Sequence, residues 1–348
     1  MIRVLIVDDS AVLRQSTKFI LESDPELCVV GQASNGAEAI TQAAMLKPDV
    51  ITMDIRMPKV DGLEAIREIM AEHPTPIVVV TGVDLDRESD VSAQATKLGA
   101  VSFLKRPDGI ASSDYKTFAA RLIRQVKSMS SVKVIHRARS LGSSSTGKLS
   151  GAGAQSDKMP TKTEIVAIGS STGGPAALYK ILSRMPKDFA LPIVIVQHIS
   201  FGFVAGLASW LNDASPLQVR VAKLGDRLEP GKAYIAPDDQ HLVVDRFNKI
   251  GLSDSAPVGG HRPAVTALFQ SVAQSFGSAA LAVILTGMGA DGALGMKTLC
   301  DAGAVTIAQD QASCVVFGMP KEAIALGAIR HVVPLDNIAQ KIQELVVV

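Results

Sequence analysis

The stretch MIRVLIVDDSAVLRQSTKFILE, residues 1–22, runs from a β-branched apolar run at 4–7 through an acidic pair, Asp8 and Asp9, into an amphipathic segment at 12–22. The same order recurs downstream. Apolar runs at 29–31, 50–53, 77–80 and 101–104 alternate with helical patterns at 37–45, 63–72, 89–98 and 115–128. Strands that read as continuous hydrophobic runs are buried on both faces, as in parallel sheets with helices on each side. Residues 1–127 are therefore expected to form a doubly wound, flavodoxin-like (βα)5 domain. Its functional groups belong at the carboxyl ends of the strands.

Outward from this unit the composition changes. Residues 128–162 contain SLGSSSTGKLSGAGAQSDK, rich in Ser and Gly, which reads as a flexible linker. Beyond it, strand-like runs at 164–168, 192–196, 233–235, 281–285 and 305–308, with helical patterns such as 175–185 and 265–276, predict a second doubly wound, mostly parallel α/β domain over 163–348. A chain of 348 residues with 47% apolar and 20% charged residues supports two such cores. Its 35 Lys and Arg balance 34 Asp and Glu, so no broad basic field points to nucleic acid or anionic lipid. Cys28, Cys300 and Cys314 make neither a disulfide framework nor a CxxC metal pattern, and no apolar run approaches about 20 residues. A cytoplasmic protein without signal peptide or membrane insertion is expected.

Asp8 and Asp9 end the first predicted strand and Asp54 follows the third, so three carboxylates converge at one sheet edge, with Thr81 ending the fourth strand beside them. Such a cluster suits Mg²⁺, which prefers oxygen ligands and keeps waters, leaving room for a phosphoryl group. Singly, each residue also fits a plainer part: Asp9 and Ser10 as helix caps, Asp54 as the start of a turn. In combination, VDDS, MDIRMPKVDG and VVVTG resemble the receiver domain of two-component response regulators. That resemblance implies Asp54 as phosphoacceptor, Asp8 and Asp9 with Asp54 as the metal ligands, and Thr81 as the switch hydroxyl. Receivers carry a lysine directly before a proline after the fifth strand; here Arg106 precedes Pro107 and Lys105 lies one residue earlier. Either Lys105 or Arg106 is the switch cation, and the two differ in shape and charge distribution.

In the second domain, EIVAIGSSTGGPAAL passes from a strand through a Gly-rich turn into a helix, and Gly169 to Gly173 satisfy G-x-S-x-G with Ser171 at its centre. A turn of this kind serves a nucleophile and a bound phosphate equally well. His198, just past the strand in PIVIVQHIS, and Asp291, in the loop of LTGMGADGALG, supply a base and its orienting carboxylate at the ends of two further strands. Alone, the histidine reads as a surface residue and the aspartate as a turn or cap. The order Ser, His, Asp differs from that of α/β-hydrolases, which leaves the chemistry open because triads are defined by geometry.

The series GSSTGGP, VQHIS, YIAPDDQHL, HRPAVTALF, LTGMGADGALG and VVFGMP is similar to the catalytic domain of CheB-type chemotaxis methylesterases. The resemblance implies Ser171 as nucleophile, His198 as base and Asp291 as its orienting partner, with the amides of Thr172 and Met288 stabilising an oxyanion. It further implies hydrolysis of glutamate γ-methyl esters on methyl-accepting chemoreceptors, deamidation of receptor glutamine, and activation by a chemotaxis histidine kinase acting on Asp54. No cofactor is implied for the hydrolase itself. His241 and His261 read as rim or surface residues, with His261 and Arg262 as weaker candidates for substrate contact. Two competing outputs are a nucleotide- or ligand-binding domain and a catalytically silent adaptor. The GSSTGG turn at 169–174 is not a GxGxxG, the second domain has no P-loop GxxxxGK[ST], and an adaptor has no need of three triad side chains.

Overall fold

Five runs form the first sheet: β1 (Ile2–Val7), β2 (Leu27–Ala33), β3 (Val50–Met53), β4 (Ile77–Thr81) and β5 (Ser102–Lys105). The structure is a computed structural model that describes residues 1–82, 95, 102–107, 114–130 and 162–346. The strand order is β2-β1-β3-β4-β5, with every pairing parallel. Side chains alternate between two cores. Leu5, Val7, Ile51, Met53, Ile77 and Val79 face one, while Val4, Ile6, Val50, Val78, Val80 and Leu104 face the other.

Helices α1 (Ala11–Glu22), α2 (Gly36–Leu46) and α3 (Gly62–Glu72) start on Ser10, Asn35 and Asp61, whose side chains accept from the amides of Leu13, Glu38 and Glu64. Each bond satisfies an amide that the first helical turn leaves unpaired. Ser10 is thus the cap after the acidic pair, and Asp9 is exposed. The helix expected over 115–128 is α4 (Asp114–Ser130), which carries the first domain three residues past the expected boundary at 127. The helix expected over 89–98 and most of the linker lie outside the described residues.

The second sheet has seven strands: β6 (Ile165–Ser170), β7 (Ile193–Gln197), β8 (Gln218–Val221), β9 (Lys232–Ile235), β12 (Ala280–Ile284), β13 (Val305–Gln309) and β14 (His331–Val333). Their order is β14-β13-β12-β6-β7-β9-β8, again with parallel pairing throughout. Strands β10 (His241–Val244) and β11 (Ile250–Ser253) form a separate antiparallel hairpin. Its helices are α5 (Gly174–Leu182), α6 (Val204–Ala214), α7 (Val265–Phe276), α8 (Ala293–Asp301), α9 (Met319–Ala325) and α10 (Leu335–Leu345). From central β6 the chain adds β7, crosses to β8 at the edge and returns to place β9 between them. It then returns to lay down β12, β13 and β14 on the other side. The order therefore reverses between β6 and β12, where a crevice opens beyond the carboxyl ends.

Candidate active site

Ser171 is the first residue beyond β6, directly at that reversal. Its backbone is fixed on both sides: its amide donates to the Thr286 carbonyl at 3.1 Å, and its carbonyl accepts from Gly174 N at 2.8 Å and Gln197 Nε2 at 2.8 Å. Gln197 also donates to the His198 carbonyl and accepts from the Ser170 hydroxyl. One buried amide side chain thereby ties the serine turn to the histidine loop. Gln197 was part of the sequence only as context for His198; its role depends on the β6–β7 register that sets Ser170 opposite it.

The turn needs glycine at two places. Gly173 has φ of 78°, in the left-handed region, and opens α5. A Cβ on Gly287 would lie 2.7 Å from the Ser171 Cβ, so the loop after β12 approaches the serine because residue 287 has no side chain. The Thr286 hydroxyl donates to the Thr172 carbonyl at 2.9 Å, which joins the two loops again. Thr172 and Met288 consequently flank the serine from adjacent loops.

His198 follows β7, and its Nε2 lies 2.8 Å from Asp291 Oδ2. Its Nδ1 is buried without a hydrogen-bond partner among the described residues. Asp291 accepts three further bonds: from Val265 N at 2.7 Å, Thr266 N at 2.9 Å and Gly292 N at 2.8 Å. Two of these amides are the first of α7, where the helix dipole favours negative charge. Burial pushes the Asp291 pKa up, but the His198 hydrogen bond and charge, with Thr266, outweigh it and hold the carboxyl well below the usual range. The side chain is therefore both an orienting partner for the histidine and a cap, though of α7 rather than of the helix that follows it.

The remaining histidines differ from the sequence expectation. His241 is 1% exposed, not a rim residue; its Nδ1 accepts from Ala264 N at 3.1 Å and its ring packs below the α7 entry. Arg262 is bound to Asp239 and to the carbonyls of Asp254 and Ser255, which makes it a brace for its own loop rather than a free substrate contact. His261 is partly buried, with its ring flat against His198, centroids 4.0 Å apart and planes 4° from parallel.

In the first domain, Asp8, Asp9 and Asp54 meet as expected, with ligand oxygens all within 4.8 Å of one another. An all-oxygen donor set of this kind fits a hard divalent cation. Arg106 is buried at the same edge, its Nη1 2.5 Å from Asp8 Oδ2 and its Nη2 3.6 Å from Asp54 Oδ2, whereas Lys105 is exposed. Neighbouring positions after β5 point to opposite sides, which separates the two cations. Burial and then the Asp8 charge push Asp54 up to about 6, against the opposing charge of Arg106 and the Ile55 amide. Thr81 is fully buried, and its carbonyl accepts from Arg106 N at 2.9 Å.

The two domains touch at the rim of the crevice. Ser128 of α4 donates to Met288 Sδ at 3.0 Å, and Ser200, two residues past His198, donates to the Phe103 carbonyl at 2.7 Å. The Phe103 and Phe203 rings lie 5.4 Å apart, and Val315 and Val316 pack against the core beneath α4.

Among known proteins, residues 166–342 match the CheB methylesterase family and residues 4–111 the response regulator receiver domain. The chain is 47% identical to a protein-glutamate methylesterase/protein-glutamine glutaminase of Geobacter metallireducens, covering 99% of both chains. A protein of the same name from Syntrophus aciditrophicus is 44% identical over 99% of this chain and 98% of its own. The crystal structure of the Thermotoga maritima CheB methylesterase catalytic domain matches at 42% identity and a TM-score of 0.52, covering 53% of this chain and all of that one. A serine turn, a histidine–aspartate pair and a receiver on their rim thus coincide with sequence likeness over the whole length: the chain belongs to the CheB family of receiver-linked methylesterases.

Proposed function

We infer that the chain is a protein-glutamate methylesterase and protein-glutamine glutaminase of chemotaxis adaptation, with a receiver over residues 1–130 controlling a catalytic domain over 163–348. The observation that carries the reading is the placement of Ser171, His198 and Asp291 beyond β6, β7 and β12, with the His198–Asp291 bond at 2.8 Å. His198 Nδ1, the ring nitrogen left free, takes the Ser171 proton as Oγ attacks the γ-carbonyl of a methylated glutamate on a chemoreceptor. The amides of Thr172 and Met288 stabilise the resulting oxyanion. The proton passes from His198 to the departing methoxy oxygen, and methanol leaves. Water, deprotonated by the same histidine, then cleaves the acyl-enzyme and frees the carboxylate. With glutamine as substrate the leaving group is ammonia and the proton steps are the same.

Asp54 is the phosphoacceptor for a chemotaxis histidine kinase, and Asp8, Asp9 and Asp54 are the residues that would hold Mg²⁺. Bound there, Mg²⁺ would offset charge on the incoming phosphoryl group. Arg106, rather than Lys105, is the switch cation, since its buried guanidinium reaches Asp8 and Asp54 while Lys105 is exposed, with Thr81 the partnering hydroxyl. The contacts of α4 and Phe103 with the crevice rim support control of access by the receiver. Among the described residues no helix is long and apolar enough to cross a membrane. The working compartment is the cytoplasm, where the kinase draws its phosphoryl group from ATP. Methanol release from methylated receptor membranes tests the reading: Ser171→Ala abolishes it, and retained release by that variant refutes the nucleophile.

A further inference from the structure

His261 is unused by the mechanism above, yet its backbone is closely fixed. The turn Gly259–Gly260, with φ of 59° and 82°, closes a short hairpin in which the amides of Val258 and His261 donate to each other's carbonyls, both at 3.0 Å. On its other side Arg262 is anchored by Asp239, and three residues on, Ala264 is bound by His241 and Val265 by Asp291. On this fixed backbone the partly buried ring lies flat against His198, with centroids 4.0 Å apart and planes within 4° of parallel. Among the described residues the His198 ring has one hydrogen-bond partner, Asp291 at Nε2. A single bond fixes the position of an imidazole edge but leaves the ring free to swing about that bond.

We propose that His261 is a positioning residue for the general base: its flat face holds the plane of His198, so that Nδ1 is kept available for the Ser171 proton while Nε2 remains on Asp291. This rests on the triad reading given above. Two parallel imidazolium rings at this distance repel, so the stack works only while His261 is neutral as His198 takes up the serine proton. The groups facing it favour that state. Burial and the His198 charge lower the His261 pKa; Asp291 opposes them, and Arg124 and Arg121 on α4 add to the lowering.

The test uses the full chain with methylated receptor membranes and compares His261→Ala and His261→Phe across a pH series. His261→Ala is expected to lower kcat by about 10- to 100-fold, the scale of a misplaced catalytic group, with KM nearly unchanged. His261→Phe keeps a flat, uncharged face and restores kcat to within about threefold of the parent. Wild-type kcat in His261→Ala, or equal loss in both variants, overturns the stacking role. A readout independent of any variant is the NMR shift of the His198 ring protons in the parent protein. Displacement by the neighbouring ring is expected, and shifts at exposed-histidine values overturn the proposal. Ser171→Ala separates the two levels: if it retains activity the triad and the stack fall together, whereas an inactive Ser171→Ala beside an unimpaired His261→Ala removes the stack alone.

Discussion

Asp54 and Asp291 both lie just beyond a parallel strand in a doubly wound sheet, both are more than nine-tenths buried, and their environments drive them in opposite directions. Asp54 shares its pocket with Asp8 and Asp9 and is pushed up to about 6. Asp291 accepts from three amides and an imidazole and is held well below the usual range. Crowding carboxylates makes a group ready to change its charge by gaining metal, proton or phosphoryl. Surrounding one carboxylate with donors fixes its charge permanently. The first suits a switch and the second a catalytic scaffold.

The comparison breaks most severely at Asp291. Asp291→Asn preserves shape but removes the charge that orients His198, and methanol release is expected to fall about 10⁴-fold, as in a triad lacking its carboxylate. Asp54→Asn, a similar change in the other domain, should leave the unstimulated rate in place and remove the whole response to phosphodonor, read in the same assay. Arg106→Ala removes the charge that offsets Asp8 and Asp54. Thermal unfolding without Mg²⁺ should show a loss of about 2–3 kcal/mol, smaller when Mg²⁺ is added.

The pH dependence of stability should then separate the two aspartates by sign. Between pH 7 and about 4.5 the folded state takes up a proton at Asp54 before the unfolded chain does, so this group makes the protein more stable as pH falls, by about 1–2 kcal/mol. Asp291 does the reverse: its contribution is complete above about pH 4 and is lost as pH falls further toward its depressed folded value. Comparing unfolding midpoints of Asp54→Asn and Asp291→Asn with the parent across this range should remove one slope each. The smallest expected effect concerns Cys314, whose thiol is pushed up to about 12 by burial and then by Asp310. It should be alkylated more slowly than a free thiol of ordinary pKa, as followed by mass spectrometry of labelled peptides.

Strands buried on both faces were plain in the sequence, because a run such as Ile77–Thr81 has no polar residue before its end. Edge strands were not: β8 reads QVRV and β14 reads HVV, segments of four and three residues too short and mixed to give a continuous apolar run. The α7 segment was legible to the residue because its apolar positions recur at helical spacing. At the sites, Ser171 and His198 stood out because each directly follows a strand, and Asp291 because it lies in the glycine-rich loop after β12. Whether Arg106 or Lys105 enters the acidic pocket could not be read, since it turns on the facing of one residue after β5. The burial of His241 and the stack of His261 on His198 arise from loops that carry no periodicity, so their partners appear only once the chain is folded.

The bonds from Asp291 to the first amides of α7 have a bearing on descent. The anchoring of Ser171 runs through its backbone, so a copy of this gene that drifted into a purely regulatory life could replace that serine with little harm to the fold. It could not as readily discard the aspartate, which starts a helix. Relics of lost catalysis in such lineages should therefore be recognisable by an aspartate that outlasts its serine.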